Sequence, residues 1–213
     1  VKKATKPSIS ARRRPRQQRS AQLVDDILEA ALRVLARDGA RHFTTVRVAE
    51  EAGVSVGSLY QYFPNKEALL FRLQTDEWEE TWSVLEEILA DTRFAPRERL
   101  RRAVLAFFRS ERQEAAVRVA LDDAGALFRH APEARAHVAK AKHSLDAFFG
   151  ELLPGLPPKE RAFAADFLMT SMSAVAERIT AEARGRAEVD AWAKATAGMY
   201  CAWLDSAELL RTA

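Results

Sequence analysis

Residues 44–70, TTVRVAEEAGVSVGSLYQYFPNKEALL, leave this chain little choice of local structure. Val48, Ala49 and Ala52 recur at helical spacing, so one face of a first short helix is apolar. Gly53 follows, a residue that takes a positive φ without strain, and Val54 can plug the angle behind it. Ser55 is a good N-cap for a second helix. Leu59 and Phe63 lie four apart on its buried side, and Pro64 stops it before Asn65 caps a third. Two short helices joined by a tight, cored turn make a helix-turn-helix. The residues expected to stay exposed on the second helix are Val56, Gly57, Ser58, Tyr60, Gln61 and Tyr62.

That exposed set suits duplex DNA. A helix enters the major groove with its N-terminal residues against base edges, where small side chains permit close approach and polar ones read donors and acceptors. Val56 and Gly57 allow the approach, and Ser58 and Gln61 can read. The tyrosine hydroxyls, the helix N-terminal amides and the Lys66 ammonium suit phosphate oxygens, which fix register without reading sequence. Thr44 or Thr45, capping the first helix, belongs with the phosphate group.

From about Arg19 to Leu70 the chain has a leading helix, Gly39, paired threonines, then AEEAGVSVGSLYQYF and NKEALL. This run resembles the DNA-binding domain of the TetR family of one-component bacterial repressors. Carried over residue by residue, the resemblance implies DNA contact at Thr45, Arg47, Ser55, Val56, Gly57, Ser58, Tyr60, Gln61, Tyr62 and Lys66. It covers about a quarter of the chain, and beyond it the likeness is one of helical layout alone. It further implies a body that binds a small effector and pairs two subunits through its last two helices.

Charge is distributed unevenly. Residues 1–66 hold thirteen Lys or Arg against six Asp or Glu, net +7, which leaves −4 on the remainder of a chain whose total is +3. The basic end is the end expected at DNA. Lys2, Lys3, Lys6, Arg12, Arg13, Arg14, Arg16 and Arg19 all precede the first acid, Asp25, among prolines and serines. Residues 1–18 therefore read as a basic flexible arm, suited to phosphates or a flanking minor groove. The alternative is a solvated tail.

After Ala21 the sequence reads as nearly continuous helix, broken at Gly39, Gly53, Pro64, Pro96, Pro132, residues 153–158 and Gly185. The expected fold is all-α with about nine helices. Residues 19–66 form a three-helix DNA-binding domain, and 67–213 a helical bundle for effector binding and two-fold dimerisation. The fourth helix, about Lys66 to Ala90, carries Leu70, Leu73, Trp78, Trp82, Leu85 and Leu89 on one long face. Lys159 to Ala183 is apolar almost all round, with Phe163, Phe167, Thr170 and Ala174 on one side and Met169, Met172, Ala176 and Ile179 on another. In the last helix Trp192, Thr196, Met199 and Trp203 follow helical spacing beside small residues, so the two helices suit half of a four-helix dimer seam. Effector candidates are the aromatics Trp78, Trp82, Phe107, Phe108, Phe128, Phe148 and Phe149 with Met172. Arg109, Asp122, His143 and Ser173 are candidate polar orienters.

Other functions find no support. The four histidines form no pair at i, i+3 or i, i+4, so no helix-borne His–His metal site arises, and no cofactor is implied. Cys201 has no neighbour to make it a thiolate, GxxxxGK and GxGxxG are absent, and no stretch approaches the ~20 apolar residues of a membrane span. One cysteine and no signal-like start point to the cytoplasm. The expected function is that of a homodimeric regulator, a repressor on a palindromic operator released by an apolar or aromatic effector. The second reading is a DNA-binding regulator whose body is only a dimer or partner-protein platform, without the enclosed cavity of roughly several hundred Å3 that an effector needs. A nucleoid-coating protein is the third, favoured by the arm and disfavoured by the reading helix.

Overall fold

The structure, a computed structural model, describes residues 18–121, 143–182 and 184–212. The arm through residue 17 lies outside them, as do Asp122, Phe128, His130 and His137. Regular structure among the described residues is entirely helical. The order is α1 (Gln18–Asp38), a 3-10 turn (Ala40–His42), α2 (Thr45–Glu51), α3 (Val56–Tyr62), α4 (Lys66–Ala90) and α5 (Pro96–Leu121). There follow α6 (143–152), α7 (Pro158–Thr180) and α8 (Arg186–Thr212). Gly39, Gly53, Pro64, Pro96, residues 153–157 and Gly185 separate or open these helices where the sequence places its breaks. The expected total of about nine helices includes residues outside the described ones. The described residues cluster into two units, one running to Trp78 with the end of α5, the other comprising Glu79–Ala115 and the residues from 143 onward.

In the first unit, α1 lays Val24, Ile27, Leu28, Ala31, Val34 and Leu35 into a core completed by Phe43, Val48, Ala49, Leu59 and Phe63. Leu69, Leu70, Phe71 and Leu73 of α4 join them, so this unit extends past Lys66. Helices α2 and α3 are seven residues each, too short to persist alone in water, and depend on this core. Their junction is a Schellman closure. Gly53 N–H donates to Glu50 O at 3.1 Å and Val54 N–H to Ala49 O at 2.9 Å, with Gly53 at φ +67°. Val54 packs on the same core as Ala49, which seals the turn. Caps then start each helix: Thr44 accepts from Arg47 N–H at 3.3 Å, Ser55 from Ser58 N–H at 3.0 Å and Asn65 from Ala68 N–H at 2.7 Å.

The second unit has its own core, built from the end of α4 and from α5 to α8, with Phe108, Leu153, Ala176, Val189, Ala193 and Leu204 fully enclosed. Cys201 is buried in it on the inner side of α8. Ion pairs tie its elements, among them Arg97 of α5 with Asp205 of α8 at 2.9 Å. Arg109 of α5 grips Asp190 of α8 through two hydrogen bonds of 2.8 and 2.7 Å. Arg99, only 2% exposed, donates to Leu89 O and Glu151 while its guanidinium lies 5.4 Å from the centre of the Phe148 ring.

Because a Cβ at Gly53 would meet nothing within 4 Å, replacement tests backbone conformation alone. Gly53→Ala is expected to lower stability by ~1–2 kcal/mol, the cost of holding an L-residue in the left-handed region. Chemical denaturation of the two proteins measures it, and equal midpoints would show that the turn relaxes to a negative φ.

Candidate functional site

On α3 the exposed positions are Gly57, Tyr60 and Gln61, which share one face at three- and four-residue spacing. Val56 and Ser58 are half-buried, and the Ser58 hydroxyl lies 2.8 Å from that of Ser55, so both serines are engaged in starting the helix. The adjoining exposed residues are Thr44, Val46 and Arg47 of the preceding segment and Lys66 at the start of α4.

The structure departs from the sequence reading at Tyr62. Its side chain is only 8% exposed and packs in the core, because α3 closes against α1 with the Tyr62–Phe63 pair on the inside. Tyr62 is therefore not part of the exposed face. Thr45 is also buried, with its hydroxyl 3.1 Å from the Tyr60 hydroxyl, so the two groups link α2 to α3.

Arg47 is exposed but engaged: its Nη1 donates to Asp38 at 3.1 Å. Asp38 also receives Arg37, and Arg37 reaches Glu51 at 2.7 Å, where Arg33 arrives at 3.1 Å. Hydrogen bonds from Arg37 hold the Asp38 carboxyl below the usual aspartate range, with Arg47 adding to the effect. Arg37, followed by Arg33, does the same to Glu51. These carboxylates were missed in the sequence. The signals were the position of Asp38 beside the Gly39 turn and its neighbour Arg37, since the pairs of Arg47 with Asp38 and of Arg33 and Arg37 with Glu51 bridge residues distant along the chain.

In the second unit an apolar cavity of about 30 Å3 is lined by Trp82, Phe148, Phe149 and Met172 from the expected effector set. Leu85, Leu89, Leu100, Val104, Leu168, Met169 and Tyr200 are among the other lining residues. This space is far smaller than the expected several hundred Å3. Phe107 and Phe108 pack in the core without lining it, and Trp78 packs against the core of the first unit. Among the expected orienters Arg109 is occupied by Asp190, while His143 and Ser173 are exposed.

The expected subunit face divides. Phe163 and Met199 are 64% and 54% exposed, and Phe167, Thr170, Ala174 and Trp192 are exposed as well. Phe163 and Phe167 stack at 6.4 Å, and Phe167 meets the half-buried Trp203 at 4.8 Å. Thr196 instead points inward, 5% exposed, because it falls on the stripe of Val189, Ala193, Ala197 and Tyr200 that faces the core. Among the described residues no helix is long and apolar enough to cross a membrane.

Known proteins resemble this chain in both parts. Residues 27–73 match the family of bacterial regulatory proteins, tetR family, and residues 95–207 match the tetracyclin repressor-like C-terminal domain. An uncharacterised HTH-type transcriptional regulator of Haemophilus influenzae is 38% identical over 53 residues, 25% of this chain and 28% of that protein. The uncharacterised HTH-type transcriptional regulator YvkB of Bacillus subtilis is 35% identical over 65 residues, 30% of this chain and 34% of its own. The chain thus matches about a third or less of the length of these relatives. The fatty acid degradation regulator FadR from Bacillus halodurans superposes with a TM-score of 0.67 at 18% identity, covering 88% of this chain and 96% of that one. FadR from Bacillus subtilis, solved in complex with stearoyl-CoA, gives 0.60 at 18% identity, over 83% and 96%. At such identity these structures speak for the fold.

The depressed carboxyls set a pH dependence for the arginine network. A carboxylate whose native pKa lies below its unfolded value stabilises fully above the unfolded value, and that contribution disappears as pH falls through the native one. The melting advantage of the wild type over Arg37→Ala is expected to hold at neutral pH and to shrink below the ordinary values of 4.5 for Glu51 and 3.8 for Asp38. Melts recorded from neutral pH to about pH 3 measure it, and a constant difference would show that the ionised carboxyls of Asp38 and Glu51 do not contribute through Arg37.

Proposed function

Because the chain belongs to the TetR family of bacterial regulators, we propose that it is a homodimeric repressor, which binds a palindromic operator and releases it when a small apolar molecule occupies its body. The observation that carries the DNA half is the exposed face of Gly57, Tyr60 and Gln61 on a helix whose start and entry angle are fixed by Ser55 and Gly53. Gly57 lets the backbone approach the groove floor, and a Cβ there would meet only Ser55 Oγ at 3.7 Å, so space within the protein does not require the glycine. Gln61 reads a base edge. Arg47, Tyr60 and Lys66 take phosphates, and the basic arm adds phosphate contacts on the flanks.

Dimerisation is supported by the aromatic outer faces of α7 and α8. Phe163, Phe167, Trp192 and Met199 together form an exposed apolar surface of the kind that a partner subunit covers. Through a two-fold axis, such a dimer presents its α3 helices about 34–36 Å apart, or a multiple of that, matching a palindrome.

The apolar lining of the cavity supports an apolar effector, and the stearoyl-CoA bound by FadR of Bacillus subtilis is in keeping with that chemistry. Release follows if the ligand binds best to an arrangement of α4 that holds the reading helices at the wrong spacing, and operator then weakens ligand binding by the same factor. The small volume of the cavity favours a second reading, in which the body serves only as a dimer or partner-protein platform. A ligand that binds the body equally well with and without operator would favour that reading.

Two substitutions separate reading from positioning. Gln61→Ala should cost ~1–3 kcal/mol at one base pair and relax preference there, whereas Lys66→Ala should weaken all DNA alike and flatten the salt slope by about one unit. Binding titrations on operator and mismatched duplexes at several salt concentrations measure both. A change of base preference in Lys66→Ala with an unaltered slope would reverse the assignment.

For the dimer, Ala174→Asp places a charge on the exposed side of α7, outside the core of its own subunit. It is expected to yield a folded monomer by sedimentation and circular dichroism. A wild type that already sediments as a monomer at micromolar concentration would remove the seam and the palindrome with it.

A further inference from the structure

The paired threonines at the start of α2 have separate tasks. Thr44 is exposed and caps the helix, accepting from Arg47 N–H. Thr45 is buried, and its hydroxyl lies 3.1 Å from that of the exposed Tyr60 near the end of α3. Among the described residues this is the one hydrogen bond of the Thr45 side chain. A bond shared by a pair of hydroxyls takes up one of their protons and leaves the other over. Were Tyr60 the donor, the proton left over would be that of Thr45, held in a buried residue without an acceptor, which is the costly arrangement. With Thr45 as donor, it is the proton of the exposed phenol, which can find an acceptor outside the protein.

Resting on the DNA-binding reading above, we infer that Thr45 touches no DNA and is a positioning residue: it donates to Tyr60 Oη and so presents the phenolic proton to a backbone phosphate. A phosphate oxygen is ionised and only accepts, so the direction of the Thr45–Tyr60 bond decides whether Tyr60 can hold it. A phenol turned the other way would meet the phosphate lone pair to lone pair. The bond also fixes the Tyr60 ring before DNA arrives, which removes part of the cost of ordering that side chain on binding. Because it joins the start of α2 to the end of α3, the phosphate is registered against both helices rather than against one rotatable side chain.

Binding of the full chain to a fluorescein-labelled duplex of mixed sequence at low salt, where phosphate contacts dominate, tests this through a double-mutant cycle. Tyr60→Phe removes the outward proton and is expected to weaken binding about tenfold, as for loss of a hydrogen bond to a charged group. Thr45→Val keeps the shape and deletes the donor; it should weaken binding about fivefold in the wild type and less than about twofold beside Tyr60→Phe. Thr45→Ala deletes the donor with a different loss of packing and should show the same coupling. Thr45→Ser restores the hydroxyl and should restore binding, with urea denaturation confirming that each variant is folded in the binding buffer. Losses that multiply in the double variants, Thr45→Val binding as wild type, or Thr45→Ser as weak as Thr45→Val would overturn the inference alone. Tyr60→Phe binding as wild type would overturn it together with the phosphate role of Tyr60, and a wild type that does not bind the duplex would overturn it together with the DNA-binding reading.

Discussion

Two backbone hydrogen bonds across Gly53 hold the first unit in its working form. They bend the chain from α2 into α3 through a residue at φ +67°, and they bring Val54 onto the core beside Ala49. Neither seven-residue helix would persist without its neighbours. The angle between them, and hence which side of α3 meets solvent, is decided by how Val48, Leu59 and Phe63 share a core with α1. The surface offered to DNA is the outward side of an arrangement dictated by what must be hidden.

Electrostatics modifies the simple picture of a basic head. The excess of +7 in residues 1–66 counts Arg33, Arg37 and Arg47, yet in the folded protein these three are shared between Asp38 and Glu51. Such exposed pairs contribute little stability in water and are weakened by salt. Their effect is on orientation: they fasten the end of α1 to both ends of α2 and set the direction from which the Arg47 guanidinium leaves the surface. The net count of +7 already includes both carboxylates, so the pairs fix where these charges sit without changing their sum.

Much of this was legible in the sequence because its signals are local. The caps at Thr44, Ser55 and Asn65, the turn at Gly53 and the inward pair Leu59 and Phe63 depend on residues within one helical turn of each other. What escaped depends on distant partners. Arg37 finds Glu51, and Arg109 finds Asp190, only after the chain has folded. Residues at the edge of a helical stripe were also misjudged. Tyr62 went inward beside Phe63, and Thr196 went inward with Ala193 and Ala197, because α8 turns the stripe of Val189, Ala193, Ala197, Tyr200 and Leu204 to the core and leaves Trp192 and Met199 outside. The aromatics of that helix divide, with Tyr200 inside and Trp192 outside, so aromatic character alone does not assign its faces.

The buried thiol of Cys201 gives the body a chemical clock. It is the only cysteine in the chain and lies on the inner side of α8, in the same core as the cavity lining. A thiol reagent in native buffer can reach it only when α8 loosens from that core, so the labelling rate reports the frequency of local opening rather than global unfolding. Any molecule that fills the cavity and draws the helices together would slow that rate, which makes occupancy of the body measurable without a dye, a label or any knowledge of the operator.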